Sequence, residues 1–213
     1  MKIFTFRDMD LCESKISRNI QVLNLDIMFI LHISIRVTIC MFTGTVALWL
    51  EENAISKIAN LGHMKNLRCL FLQTNAIKKI EGLHDLIQLR TLNFSNNMLS
   101  RIENLSSLSQ LHTLELSRNL FSSVEDIAHL VYYFHIFHIL PCSLSCATES
   151  VPWCQVRCTS VNVLDLSHNR LSDPRIVAVL EAMPALRVLY LLGNSVTAAI
   201  SDAWGRYLLA FFG

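Results

Sequence analysis

Apolar residues recur along the chain in a short pattern, apolar-x-apolar-x-x-Asn-x-apolar, that comes back at a fixed interval. The blocks LWLEENAI, LFLQTNAI, LNFSNNML and LELSRNLF end at Ile55, Ile77, Leu99 and Phe121, and their asparagines, Asn53, Asn75, Asn97 and Asn119, lie 22 positions apart. Alternation of period two marks each block as a strand, so Leu48 and Leu50, Leu70 and Leu72, Leu92 and Phe94, and Leu114 and Leu116 point to one side. The residues between them face the other way. Each block is followed by a return segment (ISKIANLGHMKN, IKKIEGLHDLIQ, LSRIENLSSLSQ) that carries a further inward apolar residue at Ile58, Ile80 or Ile102. A turn this tight has room in its return only for a short helical or 3-10 segment.

Two more blocks follow, VNVLDLSHNRL with Asn169 and LRVLYLLGNSV with Asn194, spaced by 25. The longer turn predicts a true helix: Ser172 or Asp173 can cap it, and Pro174 suits its first position. Ile176, Val179, Leu180 and Met183 then fall at i, i+3, i+4 and i+7, and Pro184 stops it. A block of this form repeating every roughly 20 to 29 residues is a leucine-rich repeat, and one such turn cannot bury its apolar face alone. The expected fold is an α/β leucine-rich-repeat solenoid, with parallel strands on the concave face and short helical or 3-10 returns on the convex face. The six asparagines are read as structural. An inward amide has two donors and an acceptor for the backbone groups left where the strand ends.

The pattern divides the chain. Residues 44–130 hold four repeats at the tighter spacing and residues 158–197 hold two more. Asn119 and Asn169 are 50 apart, and the stretch from Val131 to Val156 has no repeat block, which marks 131–157 as an irregular insertion. A degenerate repeat, a looped-out insertion and sequence foreign to the native product are the three readings, of which the last two are favoured. In residues 1–43, Ile20, Leu23, Leu25, Met28 and Ile30 match the template with Met for Asn, the pattern of a degenerate capping repeat. Residues 198–213 form a short apolar tail in which Trp204, Tyr207, Leu208 and Phe211 have helical spacing and could cover the last turn.

The chain of 213 residues is 52% hydrophobic, and the excess lies in Ile27–Leu50 and Ile127–Leu144. Neither reads well as a membrane span. The first carries His32 and Arg36, and its core alternates (Ile33, Ile35, Val37, Ile39 and Met41 against Ser34, Arg36, Thr38 and Cys40) as a half-buried strand does. The second is broken by His129, His135, His138 and Pro141. The first ten residues, with Lys2, Arg7, Asp8 and Asp10, lack the apolar core of a secretory signal, so the expected compartment is the cytoplasm. The formal net charge is +1, from 18 basic and 17 acidic residues, and argues against capture of nucleic acid or anionic lipid.

The sequence offers little chemistry. Cys142, Cys146, Cys154 and Cys158 form C-x3-C-x7-C-x3-C, a poor match to paired zinc ligands, so no metal is expected and incidental reduced thiols are the better reading. His168 lies beside Asn169 and near Asp165 but occupies a variable turn position. With no nucleophile elbow, phosphate loop or paired-carboxylate motif, neither an enzyme nor a cofactor is expected.

Protein partners are. The outward strand positions form one continuous surface, and the residues expected to make contact are Trp49, Glu51, Phe71, Gln73, Asn93, Ser95, Glu115, Ser117, Asp165, Ser167 and Tyr190. Exposed aromatic residues flanked by polar groups suit the energetic centres of interfaces. Packing of Trp49 on Phe71 is the equal alternative for that pair.

The strings LWLEENAI, LRCLFLQTNAIKKIEGL, LNFSNNMLSRIENLSSLSQLHTL and VNVLDLSHNRLSDPRIVAVLEAMPALRVLYLLGN resemble the leucine-rich-repeat axonemal dynein assembly factors, the family of leucine-rich repeat-containing protein 50. The most specific part runs from Leu171-Ser172-Asp173-Pro174 through Glu181-Ala182-Met183-Pro184 to Leu189. The resemblance implies a cytoplasmic, cilium-associated factor that helps preassemble dynein arms through contacts with dynein chains, assembly chaperones or co-factors, without catalysis. It also implies a capping segment and an acidic region beyond Val196, neither of which follows here, and a proline where Ser195 stands. The rival is a regulatory subunit of a protein phosphatase, or another leucine-rich-repeat adaptor, using the same face.

Overall fold

The computed structural model describes residues 44–130 and 160–198, together with the strand backbone at 3–4 and 22–24. Eight strands make one parallel sheet in chain order: β1 (Ile3–Phe4), β2 (Val22–Asn24), β3 (Ala47–Trp49), β4 (Cys69–Phe71), β5 (Thr91–Asn93), β6 (Thr113–Glu115), β7 (Val163–Asp165) and β8 (Val188–Tyr190). Neighbouring strands are in step, with Leu48, Leu70, Leu92, Leu114, Leu164 and Leu189 side by side. Leu23 stands opposite Leu48, the register at which the Met28 block matches the repeat template. β1 has no counterpart in the sequence reading.

The turns from β3 to β6 bury the same set of side chains. In the turn starting at β4 these are Leu70, Leu72, Ile77, Ile80, Leu83, Leu86 and Leu89, and the set recurs one turn later from Leu92 to Leu111. Burying each aliphatic side chain contributes about 1.5 to 3 kcal/mol, so stacked turns supply one another's stability. The leucines of the return have a period of three because the backbone there closes i to i+3 bonds, Leu86 N to Leu83 O and Leu89 N to Leu86 O. Inside the stack Phe94 and Phe121 are the largest wholly buried side chains.

The turn after β6 differs. Its return is helical, with α1 (Val124–Ile127) leading into a 3-10 turn at Ala128–Leu130, and Asp126 accepts from the amides of Ser122 and Ser123 at 2.8 and 2.9 Å. Leu130 stands in its turn where Leu108 stands in the one before, and Val161 takes the place that Leu111 takes there. Both are buried. β6 pairs directly with β7, Leu114 opposite Leu164, so no strand stands between them. The spacing of 50 from Asn119 to Asn169 is thus a single turn of the tighter kind plus a surplus, which falls at residues 131–158. Residues 131–157, the alternating run at 33–41, the cysteine cluster and the tail after 198 lie outside the described residues.

The long turn carries the helix its length predicts, α2 (Ile176–Glu181), with Ile176, Val179 and Leu180 buried. The cap is displaced. Arg175 takes the cap position and not Ser172 or Asp173, because i to i+3 bonds from Ile176 N to Asp173 O and Val177 N to Pro174 O tighten the first turn. Asp173 instead accepts from the Arg175 amide at 2.9 Å and from its guanidinium, and that bonding holds the carboxyl below its usual range.

Candidate interaction surface

The asparagine column closes the inner end of every strand from β3 onward. Asn97 shows the pattern: its Oδ1 accepts from the Ile77 amide one turn back at 3.0 Å, and its Nδ2 donates to Leu72 O at 2.9 Å and Phe94 O at 3.0 Å. Asn75, Asn119, Asn169 and Asn194 repeat the arrangement onto Ile55, Leu99, Phe121 and Leu171. Asn53 donates to Glu51 O. The five amides from Asn75 to Asn194 therefore each tie two turns together through bonds to backbone.

The residue before each asparagine of the column has a left-handed backbone. Glu52, Thr74, Asn96, Arg118 and His168 have φ between 52° and 57°, and Gly193 has 77°. This sharp turn lifts the following asparagine inward and carries the chain from the sheet to the convex side. A second left-handed column runs through Asn60, Gly82 and Asn104. At Gly82 a Cβ would lie 2.8 Å from Ile58 O, so that position needs glycine twice over.

The outward strand positions line up across the sheet. Trp49, Phe71, Asn93, Glu115, Asp165 and Tyr190 are consecutive register partners, forming one lateral row on the concave face. Glu51, Gln73, Ser95, Ser117 and Ser167, all half-buried, follow two positions later, just past the strand ends. Trp49 and Phe71 stack, with centroids 4.9 Å apart and planes inclined by 15°. Gln73 Nε2 donates to Glu51 Oε2.

Asn93 departs from expectation, being only 9% exposed. Its Nδ2 donates to Glu115 Oε2 at 2.5 Å and its Oδ1 accepts from the Ser95 amide at 2.8 Å, so it supports the row from below. Glu115 is half-buried and meets Asp165 on the next strand. Burial, and then the charge of Asp165, push its carboxyl above the usual range. At the far end Tyr190 is 53% and Leu192 73% exposed. Leu192, two residues beyond Tyr190, belongs to the same face.

Among the described residues no group of three or more His, Cys, Asp or Glu side chains could hold a metal, and no helix is long and apolar enough to cross a membrane. Cys69 is a free thiol.

Comparison with known proteins agrees with this geometry. The family profile described as leucine-rich repeat matches residues 41–141. An internalin of Listeria monocytogenes superposes with a TM-score of 0.53 at 17% identity, covering 84% of this chain and 44% of its own. The chain carries a leucine-rich-repeat solenoid. This solenoid is similar in sequence to dynein axonemal assembly factor 1 of Mus musculus, 62% identical over 45 residues, and of Homo sapiens, 58% identical over 45 residues. That bears out the resemblance read from the sequence. The shared stretch is 21% of this chain and 7% and 6% of those proteins, so the chain spans a small part of the relatives it matches.

Proposed function

We propose that the solenoid is a non-catalytic protein-interaction scaffold that serves the cytoplasmic preassembly of axonemal dynein arms, and hence the building of motile cilia. The observation that carries this reading is the identity of about three residues in five over 45 positions with proteins named as dynein axonemal assembly factors. The face supports it physically: a continuous row with stacked aromatic rings on β3 and β4, an exposed tyrosine on β8 and carboxylates between suits a protein partner. Acidic groups in its middle disfavour a nucleic-acid backbone.

On this reading the partners are dynein chains, assembly chaperones or co-factors, and the protein acts in the cytoplasm in association with cilia. The rival, a regulatory subunit of a protein phosphatase, would use the same face. Affinity capture from ciliated cells separates them. Recovery of axonemal dynein chains or their chaperones supports the assembly role, and recovery of a phosphatase catalytic subunit without them overturns it.

A further inference from the structure

Among the described residues, the lateral row has a charge that is left unbalanced. Glu115 and Asp165 stand on neighbouring strands, about 4.8 Å apart at the backbone, and among the described residues no Lys or Arg pairs with either. The ion pairs there involve Asp85, Glu81 and Asp173. Asn93 gives Glu115 a neutral donor, and the Ser167 amide gives Asp165 another at 2.8 Å. Two carboxylates held side by side by neutral donors repel one another, and burial of Glu115 adds the cost of lost water. Ser117 and Ser167, the next outward residues just past the ends of the same strands, are too small to cover the pair.

We infer that this face takes a protein segment carrying an arginine or lysine close to an apolar or aromatic residue, with the cation over Glu115 and Asp165 and the apolar group against Trp49 and Phe71. The inference rests on the reading of the concave face as a protein-binding surface and specifies its occupant. A guanidinium donates in a planar fork and can bond two carboxylates at once, relieving their repulsion. From Phe71 to the midpoint of the carboxylate pair is two and a half strand spacings, about 12 Å. An extended peptide covers that distance in three to four residues at about 3.3 Å each. An acidic segment would add like charge to the same spot and is disfavoured.

Selection of random dodecapeptides displayed on phage against the immobilised full chain tests this. The expected result is enrichment of sequences with Arg or Lys three to four residues from an aromatic or aliphatic residue. Capture of those sequences should fall roughly tenfold on the Glu115→Gln, Asp165→Asn double variant, with its circular dichroism unchanged. Enrichment of acidic or uncharged sequences, no enrichment at all, or equal capture by the double variant overturns the inference. Loss of capture in Phe71→Ala or Tyr190→Ala, with no effect of the double variant, overturns it while leaving the concave face as the binding surface. Capture indifferent to all of these changes overturns both.

Discussion

Replacing Asn97 with Leu tests whether the asparagine column holds the stack together. Asn97 is 7% exposed, and its amide makes one acceptor contact, with Ile77 N, and donates to Leu72 O and Phe94 O. The two carbonyls do not become orphans on its loss, because Leu72 O still accepts from Asn75 at 3.0 Å and Phe94 O from Asn119 at 2.9 Å. The Ile77 amide has no such reserve. One buried unsatisfied donor costs about 1 to 3 kcal/mol, and leucine's different shape adds some strain to a close-packed turn. The expected loss is about 2 kcal/mol, or roughly 4 to 8 °C in melting temperature for a chain of this size. Urea unfolding followed by circular dichroism measures it, and hydrogen exchange at the Ile77 amide localises it. The isosteric Asn97→Asp variant should also destabilise, since it keeps the acceptor but turns a carboxylate towards the two carbonyls. Unchanged unfolding midpoints in both variants would show that the asparagine column does not hold the stack together.

Other outcomes follow from the same geometry. Thr74 is β-branched yet held at a φ of 57°, so Thr74→Gly should raise stability by about 1 kcal/mol, and a lower urea midpoint would contradict the strain. Glu115 has its folded-state carboxyl raised, first by burial and then by Asp165. The stability it contributes is therefore present at low pH and lost as pH rises from the ordinary glutamate range through the raised folded value. Glu115→Gln should accordingly gain on the wild type as pH rises through that window in paired urea titrations; a difference flat with pH would contradict it. Removing residues 131–158 restores a turn of the tighter length between Asn119 and Asn169, and should leave the far-ultraviolet spectrum per described turn intact. Loss of cooperative unfolding would show that those residues are required.

How much of this was legible depended on period. Alternation at Leu70 and Leu72, or Leu92 and Phe94, identifies inward strand residues directly, and all of these are buried. Leu83, Leu86 and Leu89 were harder to read because their period of three matches neither a strand nor an α-helix, and it becomes meaningful only when consecutive i to i+3 bonds are seen. The left-handed column was hidden for a different reason: Glu52, Thr74, Asn96, Arg118 and His168 share a backbone angle but no side-chain chemistry, and only Gly193 carries the usual marker. α1 did leave a signal in Ser123 and Asp126, at cap-and-third-position spacing, but the dominant repeat pattern masks it. On the concave face, the identity of the row residues was readable from alternation. The burial of Asn93 was not, since it depends on a cross-strand bond to Glu115, and the stacking of Trp49 on Phe71 depends on strands being in register.

The proposed role of the concave row is to bind protein in the service of dynein-arm assembly. It is tested most directly by capture from ciliated cells with three folded baits: the wild type, Asp165→Lys on the concave face, and Lys78→Glu on the exposed convex return. Axonemal dynein chains or their assembly chaperones should come with the wild type and with Lys78→Glu, and be lost with Asp165→Lys. Equal recovery with Asp165→Lys, or loss only with Lys78→Glu, would contradict it.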